Sequence, residues 1–426
     1  MRSLVACCIL WLVAAPASAQ GTIRACNNIG KVSYVRDVMK DQYLWYQQVP
    51  DVNPARYSSP EEYLEAVRYK PLDSHFSYIT DRAANEALFS SSQYAGFGFA
   101  SLVTEDGGVR VAQVFAGSPA AEAGLLRGDS ILAINGRTIA DLLQSGQLDA
   151  AYGAPQAGVT GSLVVRRGDV ERTVTLVKRD VTIPTVSATS VVEVGGRRVG
   201  YVFFRNFVEP SYAALADAFA TLGAARVNDV VLDLRYNGGG LVEVARYLAS
   251  LIGGRRTDGQ VFVRFQHNDR NAAKNEDLRF EPQAGALMLD RLIVITTGGS
   301  ASASELVING LRPFIPVVIV GDRTYGKPVG QYATPFCDKV LAAVAFKVVN
   351  ANGQGDYFEG LPADCPAPDD LNAELGDPNE GSLKEALTVA ATGACTPPTA
   401  ASQRVRPQST RPVIRATGWD AVLGAH

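Results

Sequence analysis

Apolar positions in the first part of the chain fall at helix-like intervals. Tyr34, Val38, Tyr43 and Leu44 are followed by Tyr63, Leu64 and Val67, and Ser59-Pro60-Glu61-Glu62 offers a cap, an N1 proline and an acidic first turn. This pattern predicts a small helical domain over residues 20–90. From Gln93 to about Asp180 the texture changes to short alternations, such as Val109-Val111-Val114 and Leu163-Val164-Val165, broken by Gly and Pro. A compact β-rich domain over 91–180 follows. From Arg198 onward, apolar runs (Val199 to Phe204, Val230 to Leu234, Leu292 to Thr296, Val317 to Val320) alternate with helical stretches near Ser211 to Leu222, near Leu241 to Leu251, and from Ser302. Strands apolar on both faces between helices imply a layered α/β domain with a covered sheet, placed at 181–395. After Cys395, Pro, Ser, Thr and Arg dominate, so 396–426 is expected to be a poorly ordered tail. The fold class expected is multidomain α/β.

Composition narrows the function classes only a little. The 426 residues are 47% apolar and 19% charged with a net charge of −3, which fits an ordinary globular protein and gives no reason to expect nucleic acid as a partner. The N-terminus says more. Arg2 precedes a charge-free apolar run from Leu4 to Ala15, too short to span a bilayer, that leads into Ala17-Ser18-Ala19. Residues 1–19 therefore read as a signal peptide, with export to the periplasm or beyond and no membrane anchor after its removal. Leu4-Val5-Ala6-Cys7 is not read as a lipidation box, because no apolar segment can precede that cysteine. Cys26, Cys337, Cys365 and Cys395 remain in the mature chain, and an even number in an exported protein favours disulfides. Of three possible connectivities, the positions favour Cys337 with Cys365 and Cys26 with Cys395. No two of the four are closely spaced and the chain has three histidines, so neither a metal nor a cofactor is expected.

The candidate chemistry lies in the α/β domain. Two strand-to-helix junctions are rich in glycine, Asn237-Gly238-Gly239-Gly240 and Thr297-Gly298-Gly299-Ser300-Ala301-Ser302. Such junctions share one edge of an open sheet, where helix N-termini present N–H groups to developing negative charge. Ser302 by itself reads as a helix cap, and Glu305 three residues on as its capping partner. Lys327, in Gly321-Asp322-Arg323-Thr324-Tyr325-Gly326-Lys327-Pro328, changes that reading. A lysine becomes a general base when burial brings its pKa toward neutrality, which arginine cannot do. Competing motifs fail on specific residues. Ala303-Ser304 follows the serine where a nucleophile elbow needs glycine, and no Ser-x-x-Lys occurs. Gly321 to Lys327 spells most of a phosphate loop, but Pro328 supplies neither a hydroxyl nor an N–H.

These residues resemble those of the C-terminal processing peptidases, also called tail-specific proteases. Gly299 to Glu305 is similar to that family's nucleophile motif, Thr324-Tyr325-Gly326-Lys327 to its lysine motif, Asp233 to Gly240 to its Asp-Leu-Arg-x-Asn-x-Gly-Gly segment, and Gly360-Leu361-Pro362 to a downstream element. Pro328 departs from the glycine usual there. The resemblance implies a Ser302 nucleophile, a Lys327 base oriented by either Glu305 or Gln331, and an oxyanion hole of the Gly239 and Ala303 amides. The β-rich domain resembles a PDZ domain, with Gly96-Phe97-Gly98-Phe99 as carboxylate-binding loop and Ser118 to Leu125 leading into Gly128 to Gly136. That likeness implies capture of extended C-termini by strand addition. The expected partners are protein or peptide substrates with apolar C-termini. Two other readings stay open, a catalytically silent peptide-binding scaffold and a hydrolase of another acyl bond.

Overall fold

The structure, a computed structural model, describes residues 25–397. The leader expected at 1–19 and the tail from residue 398 onward lie outside the described residues. The described part has an N-terminal helical region, a β-rich unit and an α/β unit. Among its helices, none is long and apolar enough to cross a membrane.

The N-terminal region contributes α1 (Asn28–Asp41) and α2 (Pro60–Val67). Asn27 caps α1 by accepting from the Gly30 N–H, and Ser59 caps α2 by accepting from the Glu62 N–H. Val32, Val35, Val38, Tyr63, Leu64 and Val67 do not close a core of their own. They pack on Val329, Phe336, Leu341, Ala343 and Val344 from late in the chain. Those residues belong to a hairpin, Val329–Phe336 with Lys339–Val349, inside a sheet that also holds Tyr78–Asp81, Val261–His267 and Glu276–Arg279. Lys339–Val349 is nearly continuously apolar because both of its faces are covered. Leu341 and Ala343 meet the N-terminal helices, while Ala345, Phe346 and Val348 enter the α/β core.

The β-rich unit is a six-stranded antiparallel sheet, five strands in the order 99–103, 109–114, 130–134, 160–167, 170–177 and the short Arg137–Thr138 paired with 130–134, around a core that includes Phe97, Phe99, Val111, Leu163 and Leu176.

A six-stranded sheet forms the middle of the α/β unit, with β1 (Val186–Val194), β2 (Arg197–Phe204), β3 (Asp229–Asp233), β4 (Arg291–Thr296), β5 (Val317–Gly321) and β6 (Cys365–Pro366) lying side by side in that order. Only the β1–β2 pair is antiparallel. Period-2 alternation sorts the side chains to two buried faces. Val230, Leu232, Leu292 and Val294 face α3 (Ser211–Ala225), α4 (Val242–Gly253) and α5 (Ala303–Leu311). Val231, Ile293 and Ile295 face α6 (Gly381–Thr392). The glycine-rich junctions after β3 and β4 thus emerge together at the carboxyl edge of the sheet.

The expected cysteine pairing is corrected. Cys26 bonds to Cys337, and Cys365 to Cys395. The hairpin turn that carries Cys337 folds back onto the start of α1, where Lys31 also pairs with Asp338. Cys365 begins β6 at the sheet edge, and α6 returns the chain to it so that Cys395 arrives just past the helix end.

Candidate active site

Ser302 is the N-cap of α5, with φ +57° and ψ −113°, a left-handed conformation that a serine rarely adopts. The surrounding turns hold it there. Asn237, fully buried, accepts at its carbonyl from the Ala301 N–H (3.0 Å) and the Ser304 hydroxyl (2.9 Å), and donates from Nδ2 to the Phe204 carbonyl (2.9 Å). Ser300 Oγ donates to the Leu234 carbonyl at 2.8 Å. The ends of β2, β3 and β4 are thereby joined around the serine.

Gly239 lies directly against it. At φ +102°, a Cβ on this residue would stand 2.8 Å from Ser302 Cβ and 2.9 Å from the Ala303 nitrogen, so only glycine fits. The Gly239 N–H donates to Asn237 Oδ1 at 3.0 Å. Of the two amides expected to face an oxyanion, the one at Gly239 is therefore engaged by a side chain in this structure.

Glu305 and Gln331, the two candidates for orienting the lysine, have different partners. Glu305 is fully buried and accepts four hydrogen bonds, from Thr324 Oγ1 (2.6 Å) and the Gly326 N–H (2.7 Å) on Oε1, and from the N–H groups of Ser302 (2.9 Å) and Lys327 (2.8 Å) on Oε2. Burial pushes its pKa up, and the four donors pull it back. One carboxylate thus clips the serine backbone to the lysine backbone without touching the ammonium. Gln331 takes the ammonium, with Lys327 Nζ donating to Oε1 at 2.6 Å. Its Nε2 donates to the Phe76 and Ala342 carbonyls, and those two acceptors fix which way the amide points.

The Lys327 residue is half-buried, but its ammonium lies in crowded surroundings, 5.9 Å from the Phe76 ring centre. Burial lowers its pKa to about 8, against the opposing pull of Asp73 and Glu305. No hydrogen bond joins Ser302 Oγ to Lys327 Nζ among the described residues. Catalytic contacts are often long before substrate arrives.

In the β-rich unit, Phe97 and Phe99 are buried in the core, and Gly98, at φ +92°, turns its carbonyl to the Phe115 N–H and Ser118 Oγ. Gly96 ends the preceding strand. Of Gly96 to Phe99, the side chains thus serve the fold. What the loop leads into is an edge strand, Phe99–Val103, paired within its sheet with Val109–Val114.

Sequence reasoning missed a charged junction between the units. Arg127, from the β-rich unit, donates to Tyr236 Oη and Asp369, both at 2.8 Å, and Asp369 also meets the fully buried Arg235 at 2.9 Å. Arg235 is paired with Asp233 and Glu380 as well. Tyr236, at φ +63°, precedes Asn237 in the glycine-rich loop. The sequence signal was the Asp-Leu-Arg run, which holds Asp233 and Arg235 but gives no sign of Arg127, Asp369 or Glu380.

Three family descriptions match the chain: "Peptidase S41 N-terminal domain" over residues 33–78, "PDZ domain" over 96–177 and "Peptidase family S41" over 198–366. The chain is 26% identical over 353 residues to the carboxy-terminal processing protease CtpB of Bacillus subtilis, covering 82% of this chain and 69% of that one. It is 29% identical over 271 residues to a carboxy-terminal-processing protease of Bartonella bacilliformis, covering 62% of this chain and 59% of the relative's length. Among solved structures, a Bacteroides fragilis protein assigned to the S41 proteases superposes with a TM-score of 0.67 at 26% identity, over 85% of this chain and 97% of the other. The photosystem II D1 C-terminal processing protease, at 22% identity and a TM-score of 0.52 over 85% of this chain and 97% of the other, shares the fold.

Proposed function

Because the chain belongs to peptidase family S41, we propose that it is an exported serine endopeptidase that cuts peptide bonds near apolar, flexible C-termini. The observation that carries this reading is the Lys327 ammonium, crowded by protein and held by an uncharged amide rather than a carboxylate. A carboxylate at that distance would keep the proton on. With a pKa of about 8, a working fraction of Lys327 is neutral near physiological pH.

In the proposed cycle, neutral Lys327 takes the Ser302 hydroxyl proton as Oγ bonds to the scissile carbonyl carbon. Negative charge builds on the carbonyl oxygen. The Ala303 amide faces it, joined by the Gly239 amide once that group exchanges Asn237 Oδ1 for the substrate. The C–N bond then breaks, the leaving amine takes the proton back from Lys327, and an acyl-enzyme ester remains. Lys327 next removes a proton from water as it attacks the ester carbon, then returns that proton to Oγ as the C–Oγ bond breaks, which releases the new carboxyl terminus and restores Ser302 and neutral Lys327. Gln331 aims the lysine, and Glu305 holds the two backbones in register. The edge strand Phe99–Val103 offers its free side to an extended C-terminal segment. Export rests on the leader at 1–19, with the periplasm as the expected destination.

The test is cleavage of an unfolded protein with an apolar tail by wild type, Ser302→Ala and Lys327→Arg. Wild type should cut and both variants should not. Cleavage surviving in both would overturn the assignment, whereas tail binding without cleavage by any form would mark a scaffold. Ester turnover without proteolysis would mark another acyl hydrolase.

A further inference from the structure

We propose that Asp73 is a positioning residue of this site, building the turn whose Phe76 carbonyl aims the Gln331 amide at Lys327. The inference rests on the proposed Ser302–Lys327 chemistry and extends it into the N-terminal region.

Asp73 is fully buried and bears none of the proposed chemistry, yet four donors converge on it. Tyr43 Oη (2.8 Å) and Ser77 Oγ (2.5 Å) donate to Oδ2, and the N–H groups of Phe76 (3.0 Å) and Ser77 (2.8 Å) to Oδ1. The two amide bonds close residues 73–77 into a turn. The hydroxyls anchor that turn at both ends. Tyr43 Oη also accepts from the Tyr69 N–H at 3.0 Å, and Ser77 Oγ accepts from the Val344 N–H at 3.0 Å. The next residue, Tyr78, then pairs with Ala342. As a result the Phe76 carbonyl, in the turn, is brought beside the Ala342 carbonyl, on the strand that Tyr78 joins, and the two together accept from Gln331 Nε2.

This arrangement sets the polarity of the site. An amide whose nitrogen is held by two carbonyls must offer its oxygen to the ammonium, and the reverse orientation would set an NH2 group against Nζ, donor against donor. Asp73 therefore acts on Lys327 through the Phe76 carbonyl and Gln331, and also through its own charge. Asp73 from the N-terminal region and Glu305 from α5 are the two anions that favour the charged ammonium. The hairpin that follows the lysine adds the neutral Gln331 beside it.

The experiment compares Asp73→Asn and Asp73→Ala in the full chain. One readout is the pH profile of kcat/KM on a peptide with an apolar C-terminus. The other is the 13Cε titration of Lys327, with the Gln331 side-chain amide signals, in a Ser302→Ala background. Asparagine keeps an acceptor for the turn and removes the charge. It should hold kcat within about fivefold of wild type, while the lysine midpoint and the acid limb both move to lower pH by about half a unit or more. Alanine removes the turn's acceptor as well, and should cut kcat about 100-fold with KM nearly unchanged and displace the Gln331 amide signals. Unmoved lysine midpoint and Gln331 signals in folded variants would overturn the proposal. So would a loss of kcat that follows only the loss of thermal stability. If wild type cleaves nothing while the Lys327 midpoint still answers to Asp73, the positioning stands and the protease reading falls.

Discussion

Replacing Lys327 with methionine, in a Ser302→Ala background that prevents self-cleavage, is expected to stabilise the folded chain at neutral pH. A lysine in the unfolded chain titrates near 10.4, whereas burial lowers Lys327 to about 8 in the fold. Between those values the unfolded chain holds the proton and the folded chain does not, so stability rises with pH across that window. Below pH 8 both states are protonated and the cost of burying the ammonium is fully present. The gap corresponds to roughly 3 kcal/mol. Methionine has similar length and no charge. It leaves Gln331 Oε1 without its donor, which costs back about 1–2 kcal/mol. A net gain of about 1–2 kcal/mol at pH 7 remains, and it should vanish by pH 10. Urea unfolding of both chains at the two pH values measures this directly. A methionine variant less stable at pH 7, or a difference independent of pH, would refute the claim that the lysine is held against its own ionisation. The same quantity governs activity, because the acid limb of kcat/KM should have its midpoint near the lysine value.

Gly239→Ala should lower acylation of Ser302 by a fluorophosphonate probe at least about 100-fold, since the added Cβ would meet Ser302 and Ala303 at under 3 Å and displace an oxyanion donor. Labelling at the wild-type rate would remove Gly239 from the site. Breaking Cys26–Cys337 by Cys26→Ala should destabilise more than breaking Cys365–Cys395 by Cys395→Ala. The first bond closes 311 residues and the second 30, with chain-entropy upper bounds of about 6 and about 4 kcal/mol. Equal or reversed losses in melting temperature would show that the loops are restrained in the unfolded chain by something else.

The parts of the site that were legible in the sequence are those where local geometry demands a residue type. Gly239 and Ser302 sit in turns that leave a visible spelling, and four of the five parallel strands, β2 to β5, read as apolar runs because both of their faces are covered. Lys327 was legible because a buried lysine, unlike the arginine of the same loop, can give up its proton. What could not be read depends on distant segments meeting. Gln331 meets the ammonium because two carbonyls fix its amide, Ala342 on the partner strand of its own hairpin and Phe76 in a turn 255 residues earlier in the chain. Lys339–Val349 carries no alternation to mark it as a strand, since helices cover one face and the α/β core the other. The cysteine pairing went astray for a related reason. Position along the chain does not show that the hairpin carries Cys337 away from Cys365 to the first helix, leaving Cys365 to meet Cys395.

That hairpin also affects how the molecule comes into being. Its two strands supply Gln331 and the Ala342 carbonyl, follow directly on Lys327, and receive both N-terminal helices and the partner of Cys26. A chain still incomplete at residue 327 holds the turn around Ser302 but lacks the lysine proposed as its base. Long-range pairing of this kind also forms late in folding. On the proposed Ser302–Lys327 chemistry, completion of the polypeptide is then itself the safety catch, and a half-made molecule presents a serine that cannot injure its neighbours.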